Sequence, residues 1–299
     1  MGSFFHFMQI YSPLQQIKFQ ALNPIWVKRD DLIDPYISGN KWRKLKYILQ
    51  AALLKNKNHL VTFGGAYSNH LVATAAAASR SNFKTTAFVR GEAVENEMLL
   101  LCKLFGMTLI FVDRESYTNK QQLFDDNFGN DKQAYFIDEG GASTEAVIGC
   151  AEIIEELPEQ FDHIFCAAGT GTTAAGLLKG INKQMLNTKL HVIPVLKAGE
   201  FINTEISKYE TNLKQLQLHT DYHFGGYAKT TPELLGFIKT FIAETGILID
   251  PVYTAKMFYA INDLAHKNYF KKNARILAIH TGGLLGILGM KEKLNGIMR

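Results

Sequence analysis

A turn rich in glycine and threonine lies near the middle of the chain. The segment Gly169-Thr170-Gly171-Thr172-Thr173 follows an apolar run and opens a segment of helical period. Glycine lets a backbone adopt positive φ and aim several N–H groups at one point, and a helix N-terminus adds partial positive charge. The turn therefore suits a phosphate dianion. For this turn alone, an ordinary strand-to-helix turn capped by threonine is the alternative.

Two familiar phosphate motifs do not describe this turn. It lacks the Gly-Lys-Ser/Thr of a P-loop. It loosely fits G-x-G-x-x-A, but a dinucleotide-binding fold needs an acidic residue at the end of the next strand, and here His191–Leu196 leads into Lys197. The sequence therefore argues against NAD and favours a small phosphorylated ligand without an adenosine half.

Lys41 is the candidate nucleophile. It lies where the turn Gly39-Asn40 meets a predicted helix. A cation is disfavoured at a helix N-terminus, which lowers the pKa of the amine and favours the free amine needed to form an imine. The alternative is an exposed lysine, which is the usual fate of this residue type.

Further polar residues follow other predicted strands. Ser68, Asn69 and His70 open an alanine-rich helix at the mouth of a predicted sheet, where α/β proteins bind ligands, although Ser68 could simply be an N-cap. Tyr227 and Tyr253 stand in later turns, and either could be a half-buried core tyrosine. The turn His280-Thr281-Gly282-Gly283 ends the series.

The elements that must hold these residues alternate short apolar runs with longer segments of helical period. This alternation is typical of βαβ units, and continuous apolar runs are typical of strands buried on both faces of a parallel sheet. The predicted strands are His59–Phe63, Phe83–Val89, Met107–Val112, Ala134–Ile137, His163–Ala167, His191–Leu196 and Ile276–His280. The predicted helices are Trp42–Lys55, Asn69–Ser79, Ala93–Leu104, Thr144–Leu157, Thr173–Asn182, Pro232–Thr245 and Lys256–His266.

Composition narrows the class of protein. A chain of 299 residues, 47% hydrophobic, can bury one large core or two that share a cleft. The net charge of +4 is spread without a basic run, so we expect no nucleic-acid partner. Three widely spaced cysteines argue against a disulfide framework and a structural zinc site, and fit a cytoplasmic protein. The segment Met1–His6 predicts neither a signal peptide nor a membrane span.

Taken in chain order, the polar turns described above resemble those of a pyridoxal-phosphate (PLP)-dependent family. This family contains 1-aminocyclopropane-1-carboxylate (ACC) deaminase and D-cysteine desulfhydrase, and it lies within the tryptophan synthase β-like fold. The resemblance runs from about Val27 to Gly283 and rests on the blocks K-R-D-D…S-G-N-K-W-R-K-L, G-G-A-Y-S-N-H, D-P-V-Y-T-A-K and H-T-G-G. It implies an α/β homodimer whose subunit has two parallel-sheet, three-layer domains with PLP in the cleft. The large domain would comprise residues 1–44 and 151–299, with residues 45–150 as a small inserted domain.

The resemblance also implies roles for single residues. Lys41 matches the lysine that forms the Schiff base and moves the Cα proton, and Asn69 matches the contact to the cofactor's 3-hydroxyl. Gly169 to Thr173 match the phosphate cup. Ser68 matches a serine near the substrate carboxylate and Cα, with a nucleophilic, acid/base or binding role. Tyr227 and Tyr253 match the two tyrosines that flank substrate and ring.

Three positions distinguish the two activities of the family. Thr254, His70 and Thr281 are desulfhydrase-like, whereas sequences like ACC deaminase carry Glu, Gln and Leu there. The resemblance implies that Thr254 and Thr281 contact the cofactor and that His70 contacts the substrate. A carboxylate beside the pyridine nitrogen would keep that nitrogen protonated and deepen the electron sink, while a neutral threonine suffices to expel a good leaving group.

Three departures from the family pattern concern the substrate more than the cofactor. Thr245 replaces a glutamate, Ala228 replaces a glycine, and Ala142-Ser143-Thr144 follows the family turn only loosely.

The resulting prediction is an α,β-elimination on a small D-amino acid, with D-cysteine preferred. The products would be pyruvate, hydrogen sulfide and ammonia. The last step consumes water, so hydrolase is also among the classes predicted. The first alternative is an ACC deaminase that forms 2-oxobutanoate and ammonia. The second is a non-catalytic protein that binds a phosphorylated ligand through the turn at Gly169 to Thr173 alone.

Overall fold

The computed structural model describes residues 10–20, 24–197 and 199–298, which form two sheets flanked by helices. The strands are β1 Leu14–Ile17, β2 Ile25–Lys28, β3 His59–Gly65, β4 Lys84–Arg90, β5 Met107–Val112, β6 Ala134–Ile137, β7 His163–Ala168, β8 Lys189–Pro194, β9 Leu216–Leu218 and β10 Ile276–Ile279. The helices are α1 Asn40–Leu54, α2 Asn69–Arg80, α3 Glu97–Leu104, α4 Lys120–Phe128, α5 Thr144–Glu155, α6 Thr172–Lys183, α7 Phe201–Ser207, α8 Pro232–Thr245, α9 Thr254–His266 and α10 Lys291–Met298.

The larger sheet is assembled from both ends of the chain. Its strand order is β1-β2-β10-β7-β8-β9, and every neighbouring pair is parallel except β1 with β2. The smaller sheet has the order β5-β4-β3-β6 and is wholly parallel. The predicted α/β class with parallel sheets is confirmed. The domain bounds at 44/45 and 150/151 stay a prediction.

Alternating side chains of the larger sheet pack on two helical layers. Phe165 of β7 contacts a core cluster supplied by α8 and α9, whereas its neighbours Ile164 and Cys166 contact a cluster supplied by α5 and α6. This alternation follows from the two-residue period of a strand. The smaller sheet is likewise covered by α2 and α3 on one face and by aromatic residues of α4 on the other. Each sheet is therefore the middle of three layers.

The seven predicted strands are all present, with shifts of a few residues at some ends. The prediction that a helix starts at Ala93 is wrong, because the side chain of Asn96 caps the Leu99 N–H and the helix starts at Glu97. The sequence prediction missed elements that are short or polar. These are β1, β2, β9, α4, α7 and α10.

A buried ion network attaches α1 to the larger sheet. Nε and Nη2 of Arg43 donate to the two carboxylate oxygens of Asp30, just after β2, at 3.1 and 2.8 Å. Arg43 also donates to Glu156 after α5, and Lys28 of β2 forms an ion pair with Glu156 at 2.9 Å. Arg43 and Asp30 are both fully buried. The network therefore fixes the first turns of α1 against the sheet.

We expect Arg43→Met to destabilise the fold strongly. Removing one partner of a buried pair leaves Asp30 charged and uncompensated, at a cost of about 3–5 kcal/mol. The free energy of unfolding in urea measures this change. Lys183→Met, which removes the exposed pair with Glu155, should have a much smaller effect. Equal effects of the two substitutions would contradict the role assigned to the network.

Candidate active site

The start of α1 lies directly against the loop that follows β10. Gly39 has φ +60°, and a Cβ placed there would lie 1.9 Å from the carbonyl oxygen of Thr281. The backbone N–H of Asn40 donates to the same oxygen at 3.2 Å. Only glycine permits this approach and this φ, so the Gly-Asn turn brings Lys41 to the carboxyl edge of the larger sheet.

Asn40 connects the candidate nucleophile with the glycine-rich turn. Nζ of Lys41 donates to Oδ1 of Asn40 at 3.1 Å, and Nδ2 of Asn40 donates to Oγ1 of Thr173 at 2.9 Å. Lys41 and the turn are 128 positions or more apart along the chain, from 41 to 169. The structure therefore brings Lys41 and the turn Gly169–Thr173 close together through one side chain.

The glycine-rich turn has the form of an anion cradle. Gly171 occupies the N-cap of α6 in the left-handed region at φ +78°, and no side-chain hydrogen bond caps this helix. The first N–H groups of a helix have no partners within it, and the helix dipole adds positive charge. Oγ1 of Thr170 and Oγ1 of Thr172 lie 3.1 Å apart beside these groups. The alternative of a threonine-capped turn is not what the structure shows, and the turn fits a phosphate.

The amine of Lys41 is favoured in its neutral form. Burial and, to a smaller extent, the nearby cation of Lys44 together lower the pKa of Lys41 from 10.5 to about 7, against opposing effects of Cys150 and Asp250. Burial is thus the larger cause, where the sequence analysis invoked the helix dipole. Lys44, which that analysis missed, donates to the Gly140 carbonyl at 2.9 Å. Its position three residues after Lys41 was the available signal, because such residues share a helix face.

Ser68 and Asn69 stand at the start of α2, close to the loop after β10. Ser68 occupies the N-cap of α2, but its side chain makes no capping hydrogen bond. Its Oγ would lie 2.8 Å from a Cβ on Gly64, so that glycine is what gives the hydroxyl room. Nδ2 of Asn69 would lie 3.0 Å from a Cβ on Gly283, in the loop after β10. The start of α2 therefore meets the loop that also contacts α1.

His70 lies beneath the site as a buried neutral ring. Its Nε2 lies 2.8 Å from Oγ1 of Thr62, which donates to the Ile137 carbonyl, so Nε2 carries the proton. Nδ1 lies 3.5 Å from Oγ1 of Thr74. Burial, with the cations of Lys41 and Lys44, lowers the pKa of His70 well below its usual value. Both ring nitrogens face threonines, and a contact between His70 and substrate stays a prediction.

Tyr253 and Tyr227 form a pair beside the cradle. The Tyr253 ring would lie 3.2 Å from a Cβ on Gly169, so this glycine admits the ring. The two tyrosine rings meet edge to face, with centroids 6.1 Å apart and planes at 75°. Loss of hydration raises the pKa of Tyr253 well above 10 and also raises the pKa of Tyr227, whose side chain stays 45% exposed. Both phenols are therefore protonated at neutral pH and able to donate.

Asp250, which the sequence analysis also did not identify, sets the position of Tyr253. Its fully buried carboxylate accepts from the backbone N–H groups of Val252, Tyr253 and Thr254, each at 2.9 Å. The Thr254 hydroxyl donates to Asp250 at 2.7 Å and accepts from the Asp250 N–H at 2.9 Å. Asp-Pro ahead of a helical segment was the available signal. Contacts of the Thr254 and Thr281 side chains to a cofactor stay predictions.

The described residues contain neither a candidate metal centre nor a membrane-spanning helix. Across residues 10–20, 24–197 and 199–298, no group of three or more His, Cys, Asp or Glu side chains could hold a metal ion. No helix within the same ranges is both long and apolar enough to cross a membrane.

Comparisons with known proteins agree with this geometry. The family model described as pyridoxal-phosphate dependent enzyme matches residues 9–282. A protein of Thermotoga maritima named putative 1-aminocyclopropane-1-carboxylate deaminase is 34% identical over 90% of this chain and 92% of its own length. The mitochondrial bifunctional D-cysteine desulfhydrase/1-aminocyclopropane-1-carboxylate deaminase of Arabidopsis thaliana is 28% identical over 92% of this chain and 76% of its own. A crystal structure of an ACC deaminase homologue superposes with TM-score 0.86 at 30% identity, covering 96% of this chain and 93% of the other.

The depressed pKa of Lys41 predicts how the apoprotein reacts with added PLP. The neutral fraction of an amine of pKa about 7 rises between about pH 6 and about pH 8, so the rate of reaction should rise over that interval and then level off. The visible absorbance of the product measures the rate. Lys44→Met removes the neighbouring cation and should move the midpoint to higher pH. A wild-type midpoint near 10.5, or one that Lys44→Met leaves unchanged, would contradict the assigned causes.

Proposed function

The chain belongs to the pyridoxal-phosphate-dependent enzymes, in the group that contains ACC deaminase and D-cysteine desulfhydrase, and we propose its reaction on that basis. The proposed reaction eliminates the β-substituent of a small D-amino acid, and D-cysteine is the preferred substrate. The observation that carries the proposal is the link through Asn40 between Lys41 and Thr173. It sets a partly buried amine of lowered pKa opposite an uncapped helix N-terminus, as a cofactor with an aldehyde and a phosphate requires.

Each polar group of the cleft has a proposed task. When bound, PLP supplies an electron sink that weakens the Cα–H bond of an amino acid. The turn Gly169–Thr173 holds the phosphate, and Asn69 contacts the 3-hydroxyl. Lys41 holds the cofactor covalently and, once its amine is free, takes the Cα proton, for which its pKa near neutrality is suited.

The remaining groups act on the substrate. The Ser68 hydroxyl, which is not used as a helix cap, binds near the substrate carboxylate and Cα. The protonated phenols of Tyr227 and Tyr253 flank the substrate and the ring. The C–S bond breaks with its electron pair on sulfur, and water then converts the remaining fragment to pyruvate and ammonia. Hydrolase is the wrong word for this activity, because elimination breaks the bond to the leaving group and water enters only afterwards.

The state of Thr254 supports the choice of D-cysteine. This residue is neutral, and its hydroxyl is engaged by Asp250, whose carboxylate is itself engaged by three backbone N–H groups. A weak electron sink suffices to expel hydrosulfide from D-cysteine, because sulfur accepts the electron pair of the broken C–S bond readily. Opening a cyclopropane ring is the harder reaction.

ACC deaminase is the second candidate. It is favoured by the name of the Thermotoga maritima relative, 34% identical over 90% of this chain. The hypothesis of a non-catalytic phosphate-binding protein loses its support, because the family match covers residues 9–282 and belongs to enzymes.

Two further proposals concern the setting of the enzyme. We propose that the enzyme is a homodimer, as the resemblance implies, and that it is cytoplasmic. The cytoplasmic location is supported by three cysteines that are free and buried, as in proteins of a reducing compartment.

Lys41→Ala should abolish turnover of every substrate. The covalent attachment and the proton transfer both depend on this amine, so the purified variant should also lose the visible absorbance of lysine-bound PLP. The control is Lys46→Ala on the same helix, whose partner is Glu152 rather than a group of the cleft, and it should keep both properties. Turnover that survives Lys41→Ala would refute the assignment.

A panel of D- and L-amino acids with ACC should separate the two activities. We expect D-cysteine to yield pyruvate and sulfide with a kcat/KM at least about tenfold above that for ACC, a difference of about 1.4 kcal/mol in barrier. Keto-acid and sulfide assays give both numbers. A preference for ACC would transfer the proposal to the second candidate.

A further inference from the structure

Another lysine, fully buried, lies close to the tyrosine pair. Lys256 is in the first turn of α9, three residues after Tyr253, and is fully buried. Its Nζ donates to the carbonyl oxygens of His223 and Gly226, both at 2.8 Å, and lies 3.4 Å from that of Val195. An ammonium group has three donors, so these three carbonyls can satisfy it. None of the tasks proposed above uses this side chain.

Two of the three carbonyls belong to the segment of residues 222–229, which carries Tyr227. Four residues around this tyrosine have positive φ: Phe224 at +51°, Gly225 at +92°, Gly226 at +116° and Ala228 at +53°. Phenylalanine and alanine rarely adopt the left-handed region, because their Cβ atoms crowd the backbone there. Such a conformation persists only where surrounding contacts enforce it. The position of Tyr227 therefore depends on what holds this segment.

One face of α9 provides the contacts. Lys256, Tyr259 and Asp263 are spaced by three and four residues, so they share a face of the helix. Asp263 accepts from the Tyr222 hydroxyl at 2.6 Å, and Tyr259 packs edge to face on Phe224 with centroids 4.9 Å apart. These two contacts involve Tyr222 and Phe224 and do not reach the backbone next to Tyr227. Lys256 reaches Gly226, the residue directly before Tyr227.

We propose that Lys256 is a positioning residue that holds the Tyr227 phenol against Tyr253 at the cofactor cleft by fixing the carbonyl of Gly226. Tyr253 stands at the N-cap of α9, and Lys256 connects Tyr227 to the same helix, so one rigid element sets both phenols. The inference rests on the proposed function, because it takes Tyr227 as a group that faces the substrate.

The charge state of Lys256 agrees with this role. Burial lowers the pKa of Lys256 to about 8, and the carboxylate of Asp250 opposes the change. Because this value lies above 7, the side chain is mostly an ammonium group at neutral pH and keeps all three donors.

The test is Lys256→Met in the holoenzyme. Methionine keeps most of the volume and removes every donor. Misplacing Tyr227 should lower kcat/KM by about 10-fold to about 100-fold, while the visible absorbance of bound PLP persists because Lys41 and the phosphate turn are untouched. Backbone amides from 223 to 229 should exchange with deuterium faster than in the unaltered enzyme. Unchanged exchange in this segment would overturn the proposal.

Two comparisons separate positioning from general destabilisation. Tyr222→Phe removes one hydrogen bond between the same segment and the same helix, and its kcat/KM should stay close to that of the unaltered enzyme. Tyr227→Phe combined with Lys256→Met should lose no more activity than the more damaging single variant, because both act through one phenol. Additive losses, or an equal loss in Tyr222→Phe, would overturn the proposal.

A second variant covers the case in which Lys256→Met does not fold. Lys256→Gln keeps an amide donor on a shorter side chain, and should show the same faster exchange and a partial loss of activity. Amide exchange needs no substrate, so it decides the role of Lys256 even if the substrate panel refutes the proposed reaction. Exchange in Lys256→Gln equal to that of the unaltered enzyme would overturn the proposal.

Discussion

The amide of Asn40 is the contact on which the site depends. Its oxygen accepts from Lys41 and its nitrogen donates to Thr173, so one planar group with both donor and acceptor ends joins a nucleophile to an anion cradle. A carboxylate or an ammonium in this place could serve only one of the two partners. The bridge requires that α1 and α6 begin at the same edge of the larger sheet.

That requirement is met by close contact between backbones. Gly39 and Gly282 meet where the turn before α1 crosses the loop after β10. A Cβ on Gly39 would lie 1.9 Å from the carbonyl oxygen of Thr281, and a Cβ on Gly282 would lie 2.1 Å from Oγ of Ser38. β7 and β10 are adjacent parallel strands, so the loops that follow them emerge side by side. The glycines near the site thus serve two purposes: some shape the anion cradle, and others let loops touch.

The two lysines whose pKa values lie near neutrality, Lys41 and Lys256, differ in their neighbours. Lys41 and Lys256 both lose hydration, which lowers the pKa of each, to about 7 and about 8 respectively. The strongest charged neighbour of Lys41 is the cation of Lys44, whereas that of Lys256 is the carboxylate of Asp250. Lys256 also has carbonyl partners at 2.8 Å, while Lys41 has one amide oxygen at 3.1 Å. The first environment favours a reactive amine and the second a fixed cation.

The sequence by itself determined the α/β class, the seven principal strands and the turns that carry the chemistry, because apolar periodicity and glycine placement are local properties of the chain. It also identified Lys41 and the turn at Gly169 as a pair, through a resemblance spread over distant blocks. Only the tertiary structure revealed the Asn40 bridge, the burial that lowers the pKa of Lys41, the engagement of Thr254 by Asp250 and the contacts of Lys256. Burial and hydrogen-bond partners depend on residues far apart in the chain. The helix start at Lys41 therefore predicted a lowered pKa without its main cause, and no local pattern around Lys256 indicated its carbonyl partners.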